Sequence, residues 1–161
     1  MQTPEVLFKK LDDNALIPAY QTERAAGLDL SVCLPRGDHD SGEVVIEPIH
    51  KGGKITKLPC GFACAIPEGF EGQVRPRSGL ATKFGVTIPN APGTVDSDYR
   101  GEMFVALINL GNEPHTIRHG DRVAQMVISP VAHVTSTEVD DLDTTARGAG
   151  GFGSTGITQS V

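Results

Sequence analysis

The stretch TIPNAPGTVDSDYRGEMFVALINL, residues 87–110, holds the plan of this chain. It opens on a β-branched run at Thr87, turns at Asn90-Ala91-Pro92-Gly93, and carries Thr94 and Val95 into the polar turn Asp96-Ser97-Asp98. It leaves through Tyr99-Arg100-Gly101 into the apolar run Met103–Leu110. Turn residues of these types between β-branched and apolar runs predict a hairpin. The near-continuous apolar run predicts a strand at the centre of a sandwich. One end of the hairpin is relaxed by glycine and the other is rich in carboxylates. Such an element can hold a flat ligand against its backbone and set a carboxylate beside it.

The same pattern repeats on both sides. Val6-Leu7-Phe8 starts a first strand. In Gly27–Val32, Leu28, Leu30 and Val32 alternate with Gly27, Asp29 and Ser31, which places Asp29 on the water side of a half-exposed strand. Val44-Val45-Ile46 and Gly53–Leu58 read as separate strands, followed by a cysteine strand from Cys60 to Ile66. Ser78-Gly79 before Leu80, Ala81 and Phe84 reads as a short helix capped by Ser78 and stopped by Gly85. His115-Thr116-Ile117 reads as an edge strand, Arg122–Pro130 as an inner strand with Gln125 in apolar surroundings, and Val131–Val139 as a last strand. With 161 residues, 19 glycines, 11 prolines and no long helical period, the chain predicts one all-β domain, a sandwich or barrel with one short helix.

Composition removes several classes of function. A net charge of −6 disfavours a protein that coats nucleic acid, and no run approaches a membrane span. On a strand, Cys60 and Cys64 stand roughly 13 Å apart at about 3.3 Å per residue, too far for a disulfide. With Cys33 they read as small buried hydrophobes in a reducing compartment. His39 and Asp40 lie in a loop with no further ligands at a usable spacing.

From Asp140 onward the chain turns polar and glycine-rich, which predicts a mobile arm over 140–161 beside a folded body over 1–139. GAGGFG at 148–153 fits the dinucleotide pattern G-x-G-x-x-G but lacks the strand, helix and acidic residue that the pattern requires. What survives is an amide-rich segment able to order on an anion. Arg77-Ser78-Gly79 also combines a cation, a hydroxyl and free backbone N–H groups at a helix start.

Five separated pieces then fall into order: AGLDL (26–30), RPRSGLA (75–81), NAPGTVDSDYRGE (90–102), GDRVAQM (120–126) and RGAGGFGSTG (147–156). In this order and spacing they closely resemble the five motifs of the trimeric deoxyuridine triphosphatase (dUTPase) family. The resemblance implies a subunit of jelly-roll or β-clip type and a homotrimer. It also implies sites at subunit interfaces, each closed by the arm of another subunit.

The resemblance assigns roles to individual residues. Asp96 matches the carboxylate that activates water for in-line attack on the α-phosphorus of dUTP, yielding dUMP and pyrophosphate. Asn90, Gly93, Thr94 and Val95 match the segment that reads the uracil edge, with room left by Gly93. Tyr99 matches the residue under the deoxyribose, whose ring offers no partner to a ribose 2′-hydroxyl, and Met103 adjoins that pocket. Arg77, Ser78, Gly79 and Gln125 match phosphate contacts. Arg147, Gly153, Ser154 and Thr155 match arm contacts to the phosphates, and Phe152 matches the ring that covers the base. Asp29 resembles the residue supporting the water shell of Mg²⁺ held on the triphosphate, which suits a chain without a dense carboxylate cage. Arg122 either touches the ligand or structures its motif through Asp121 or Asp98.

Two other readings share the fold. A dCTP deaminase is expected to carry an Arg-Ser-Ser element and a catalytic glutamate, where this chain has Arg77-Ser78-Gly79 and Asp96. A trimer that binds without chemistry is expected to lack the carboxylate or the arm. The resemblance further implies a cytoplasmic enzyme that keeps uracil out of DNA and supplies dUMP for thymidylate synthesis. No stable nucleic-acid or membrane partner is expected.

Overall fold

The computed structural model describes residues 3–154 and 156. Its strands are β1 (Leu7–Lys10), β2 (Leu28–Ser31), β3 (Glu43–Ile46), β4 (Thr56–Ala65), β5 (Phe70–Pro76), β6 (Val86–Thr87), β7 (Gly93–Val95), β8 (Glu102–Asn109), β9 (His115–Arg118) and β10 (Arg122–Pro130), with the helix α1 (Ser78–Phe84) after β5. They form two four-stranded sheets, ordered β1-β4-β8-β6 and β2-β10-β5-β7, and a two-stranded ribbon β3-β9. All the pairings are antiparallel. Leu28 and Leu30 of β2, Val74 of β5 and Met126 of β10 share one buried core with Leu58 and Phe62 of β4 and with Met103, Val105 and Leu107 of β8. The all-β, jelly-roll reading with one short helix holds.

Several local readings change. The 87–102 stretch is not a hairpin whose arms pair. β6 pairs with β8 in the first sheet, whereas β7 pairs with β5 in the second. The turn at Pro89-Asn90 therefore carries the chain from one sheet to the other, and the two ends of the stretch straddle the gap between them. β8 is not buried on both faces. Met103, Val105, Leu107 and Asn109 are buried, while Phe104, Ala106 and Ile108 on its other face are half-covered.

The strand expected at 53–58 and the cysteine strand are one element, β4, continuous through Pro59. It stays in one sheet by bulging: the register against β8 shifts between Pro59 and Ala63. Gly61 makes this possible at φ +72°, a left-handed conformation open to a residue without Cβ. The expected last strand at 131–139 does not form. The Val131 N–H reaches the Gly69 carbonyl at 2.9 Å, after which residues 132–139 are exposed and irregular. The chain leaves β10, which already has β2 and β5 on its two sides, so the alternating pattern finds no neighbour to pair with. Helix α1 starts at Ser78 itself: Arg77 is its extended N-cap residue and no side chain caps it, while the stop at Gly85 stands.

Candidate functional site

The residues expected at the site from Asp29 to Gln125 gather in two clefts. The first opens where the two sheets part. Val74, Ile88, Val95, Met103 and Val105 give it an apolar floor, with Asn90, Gly93, Thr94, Asp96, Tyr99 and Glu102 around them, and its volume is about 310 Å³. Gly93 and Val95 are buried within β7 while Thr94 faces out. β7 is the edge strand of its sheet, paired with β5 on one side, so the backbone groups of its other side are free to meet a ligand. Asp96 follows β7 directly and is exposed, and its carbonyl accepts the Tyr99 N–H at 3.2 Å. Tyr99 is 43% exposed, and its hydroxyl donates to the Glu102 carbonyl at 2.9 Å.

The second cleft, about 590 Å³, is lined by Gly27, Asp29, Arg77, Ser78, Gly79, Lys83, Arg122 and Gln125 among others. Asp29 is not on a watery face. Its side chain is only 13% exposed and lies between Arg122 at 3.0 Å and Arg77 at 3.4 Å. Arg77 also donates to the Arg122 carbonyl at 2.9 Å. Arg122 is thus anchored by Asp29, not by Asp121 or Asp98. Asp121 instead accepts the Arg118 N–H at 2.7 Å. Gln125 is not in apolar surroundings either. A register shift between Arg122 and Ala124 leaves Val123, Ala124 and Met126 buried and turns Gln125 into the polar cleft, where it donates to the Pro76 carbonyl at 3.1 Å. Ser78 and Gly79 are exposed at the start of α1.

The two clefts have no lining residue in common, and Arg147, Phe152, Gly153 and Ser154 line neither. These four sit on local turns: the Arg147 Nε donates to the Gly150 carbonyl at 2.8 Å, the Ser154 N–H to the Gly151 carbonyl at 3.1 Å, and Phe152 is fully exposed. Thr155 lies outside the described residues.

Two further residues that line the first cleft are not legible in the sequence. Glu102 belongs to the YRGE string, which gives it no role of its own; it borders the first cleft and pairs with Arg36 at 2.7 Å. Lys57 sits 3.9 Å over the Phe104 ring on the same side. Both depend on cross-strand pairing that no local motif reports. The three cysteines are free and buried. Burial pushes the Cys60 thiol up to about 12 and also raises those of Cys33 and Cys64, so none is a poised nucleophile. Among the described residues no group of three His, Cys, Asp or Glu side chains could hold a metal by itself. No helix among them is long and apolar enough to cross a membrane.

A family model described as dUTPase matches residues 13–156. The deoxyuridine 5'-triphosphate nucleotidohydrolase of Desulfotalea psychrophila is 55% identical over 141 residues, covering 88% of this chain and 87% of its own. That of Caulobacter vibrioides is 54% identical over 154 residues, covering 94% of each. Among solved structures, the Staphylococcus bacteriophage 80alpha dUTPase with dUPNHPP matches at a TM-score of 0.78 and 25% identity, over 96% of this chain and 100% of that one. A dUTPase mutant from phage phi11, described with a structural Mg(II) ion, matches at 0.72 and 22% identity, over 87% and 99%. The two clefts hold residues of the first four motifs, the fifth lies on the turns beyond β10, and the family model runs across all of them: the chain belongs to the dUTPase family.

Proposed function

We propose that this chain hydrolyses dUTP to dUMP and pyrophosphate by in-line attack of water on the α-phosphorus, at sites shared between the subunits of a homotrimer. The observation that carries this reading is the first cleft: a free strand edge over an apolar floor, ending in an exposed carboxylate. A uracil ring lying on that floor meets the outer backbone groups of β7, whose fixed order of donors and acceptors suits uracil and mismatches cytosine. Tyr99 lies under the sugar. Asp96 takes the proton of the attacking water and orients it.

The second cleft supplies what the first lacks. Arg77, with the hydroxyl and amides of Ser78 and Gly79, cradles the phosphates of a nucleotide whose base sits on a neighbouring copy, and Gln125 adds a contact. Charge-assisted bonds of this kind are the strong ones. The absence of shared lining residues supports a site assembled from more than one chain. The arm over 140–161 closes the site of a neighbour, bringing Arg147 to the terminal phosphate, Phe152 over the base, and Gly153, Ser154 and Thr155 to the phosphates. Ordering it excludes water and completes the cation set.

Mg²⁺ fits as a passenger of the triphosphate, because the phosphate oxygens supply most of the ligands that this chain does not. Asp29 lines the second cleft with its two oxygens held by Arg77 and Arg122, so its part in the ion's water shell requires those pairs to open, and the ion, when bound, would neutralise phosphate charge. Such an enzyme acts in the cytoplasm, where it keeps uracil out of DNA and feeds dUMP to thymidylate synthesis.

The test is pyrophosphate release with Mg²⁺ from dUTP, dCTP, dTTP and UTP in parallel, with ammonia followed in the same samples. Pyrophosphate from dUTP alone is the expected result. Ammonia from dCTP would move the chain to a deaminase, and no product from any substrate would leave a binding trimer.

A further inference from the structure

Glu102 opens β8 and makes several contacts at once. Its Oε1 accepts the Gly61 N–H at 3.1 Å and the Arg36 Nε–H at 2.7 Å, and its Oε2 lies 3.4 Å from the second guanidinium arm. The remaining arm of Arg36 reaches Asp12 Oδ2 at 3.3 Å. The Asp12 and Leu11 amides donate to the Gly61 carbonyl at 3.2 and 2.8 Å, which closes a ring of four residues around the bulge of β4. The three charged side chains are between 19 and 25% exposed, so the pairs are partly desolvated and the fork geometry of arginine is put to use. The main-chain carbonyl of this same Glu102 is the one that accepts the Tyr99 hydroxyl. The tyrosine reaches it by lying against Gly101, where any Cβ would collide with the phenol.

We propose that Arg36 and Glu102 are positioning residues for substrate selection. The clamped carboxylate fixes the first residue of β8, and the carbonyl of that residue fixes the Tyr99 ring against which the sugar is read. The inference rests on the dUTPase reading for what the ring does, but not for how the ring is held. Arg36 lies 66 residues from Glu102 in sequence and belongs to none of the five motifs, in the loop PRGDHDSG to which no motif gives a role.

The experiment compares kcat/KM for dUTP and for UTP in Arg36→Met, which keeps the apolar stem and removes the fork. The dUTP/UTP ratio should fall roughly fivefold, the scale of one hydrogen bond released from its geometry. Arg36→Lys should recover part of the loss. Tyr99→Phe should lower the ratio by a similar factor, and the double variant Arg36→Met/Tyr99→Phe should fall no further than the lower single variant, because both act through one bond. A folded Arg36→Met with an unchanged ratio, or a double variant showing the product of the two losses, would overturn the proposal. A second readout is independent of turnover. The chain has two tyrosines, so labelled ring signals separate Tyr99 from Tyr20. Arg36→Met should move the Tyr99 ring signals and leave those of Tyr20 in place; an unmoved Tyr99 would overturn the proposal even if the wild-type chain released no pyrophosphate, a result that would by itself defeat only the proposed function. Should Arg36→Met fail to fold, Glu102→Gln takes its place, since it keeps an acceptor for Gly61 and loses the charge. A lowered ratio and moved Tyr99 signals in that variant are then expected, and an unchanged ratio or unmoved signals would overturn the proposal.

Discussion

The two clefts are built on opposite principles. The first has an apolar floor drawn from both sheets, a free strand edge and one exposed carboxylate. It is shaped for a flat ring and holds no arginine. The second is larger and polar, and its arginines already have a counter-ion in Asp29. It is shaped for charge, and its one aromatic lining residue, Phe84, is tilted against the His115 ring. Each has what the other lacks. Reading a uracil and holding a triphosphate demand different surroundings, and the proposed function divides them between two clefts that share no lining residue, with the assembly of copies bringing them together.

That contrast can be broken in order of expected effect. Asp96→Asn removes the base from the first cleft and should lower kcat by on the order of 10²-fold or more with nucleotide binding kept; near-normal turnover, measured as pyrophosphate release, would take Asp96 out of that role. Ending the chain after Asp143 removes Arg147 and Phe152 and should leave a folded trimer whose kcat/KM drops by on the order of tenfold or more, the scale of a lost charge-assisted contact. Full activity in the shortened chain would refute the closing role of the arm. Tyr99→Ala acts on the sugar alone and should narrow the dUTP/UTP ratio by about fivefold or more, checked by parallel kinetics.

A last test leaves activity aside and reads the shared core. The Cys60 thiol is raised from 9.0 to about 12 by burial, so between those values the unfolded chain loses its proton before the folded one does. The folded state then holds more protons, and stability falls as pH rises through that window, by at most about 1.4 kcal/mol per pH unit. Urea midpoints should fall more steeply there than in Cys60→Ala; equal slopes would place the thiol in water.

Much of this was legible because it is local. The alternation of Leu28 and Leu30, the stop of α1 at Gly85 and the motif residues of each cleft need only neighbours in sequence. What was not legible depends on partners far along the chain. A hairpin and a sheet-to-sheet crossing carry the same turn residues, and only the pairing of β6 with β8 and of β7 with β5 separates them. Val131–Val139 has a strand pattern but no free neighbour beside β10. The register shift before Ala124 reverses which residues are buried and turns Gln125 into the second cleft. Asp29 read as solvated because its two arginines come from β10 and from the turn before α1.

The most direct test of a divided site is complementation between chains. Asp96→Asn and Arg77→Ala, each nearly inactive alone, would be co-expressed with different tags and the mixed trimers purified. If base and phosphates are held by different copies, about one site in three of each mixed trimer is restored, pairing an intact Asp96 with an intact Arg77 from its neighbour. Activity well above the sum of the two pure variants is the predicted result. Mixed trimers no more active than that sum would show that both halves of each site belong to one chain, and would contradict this account.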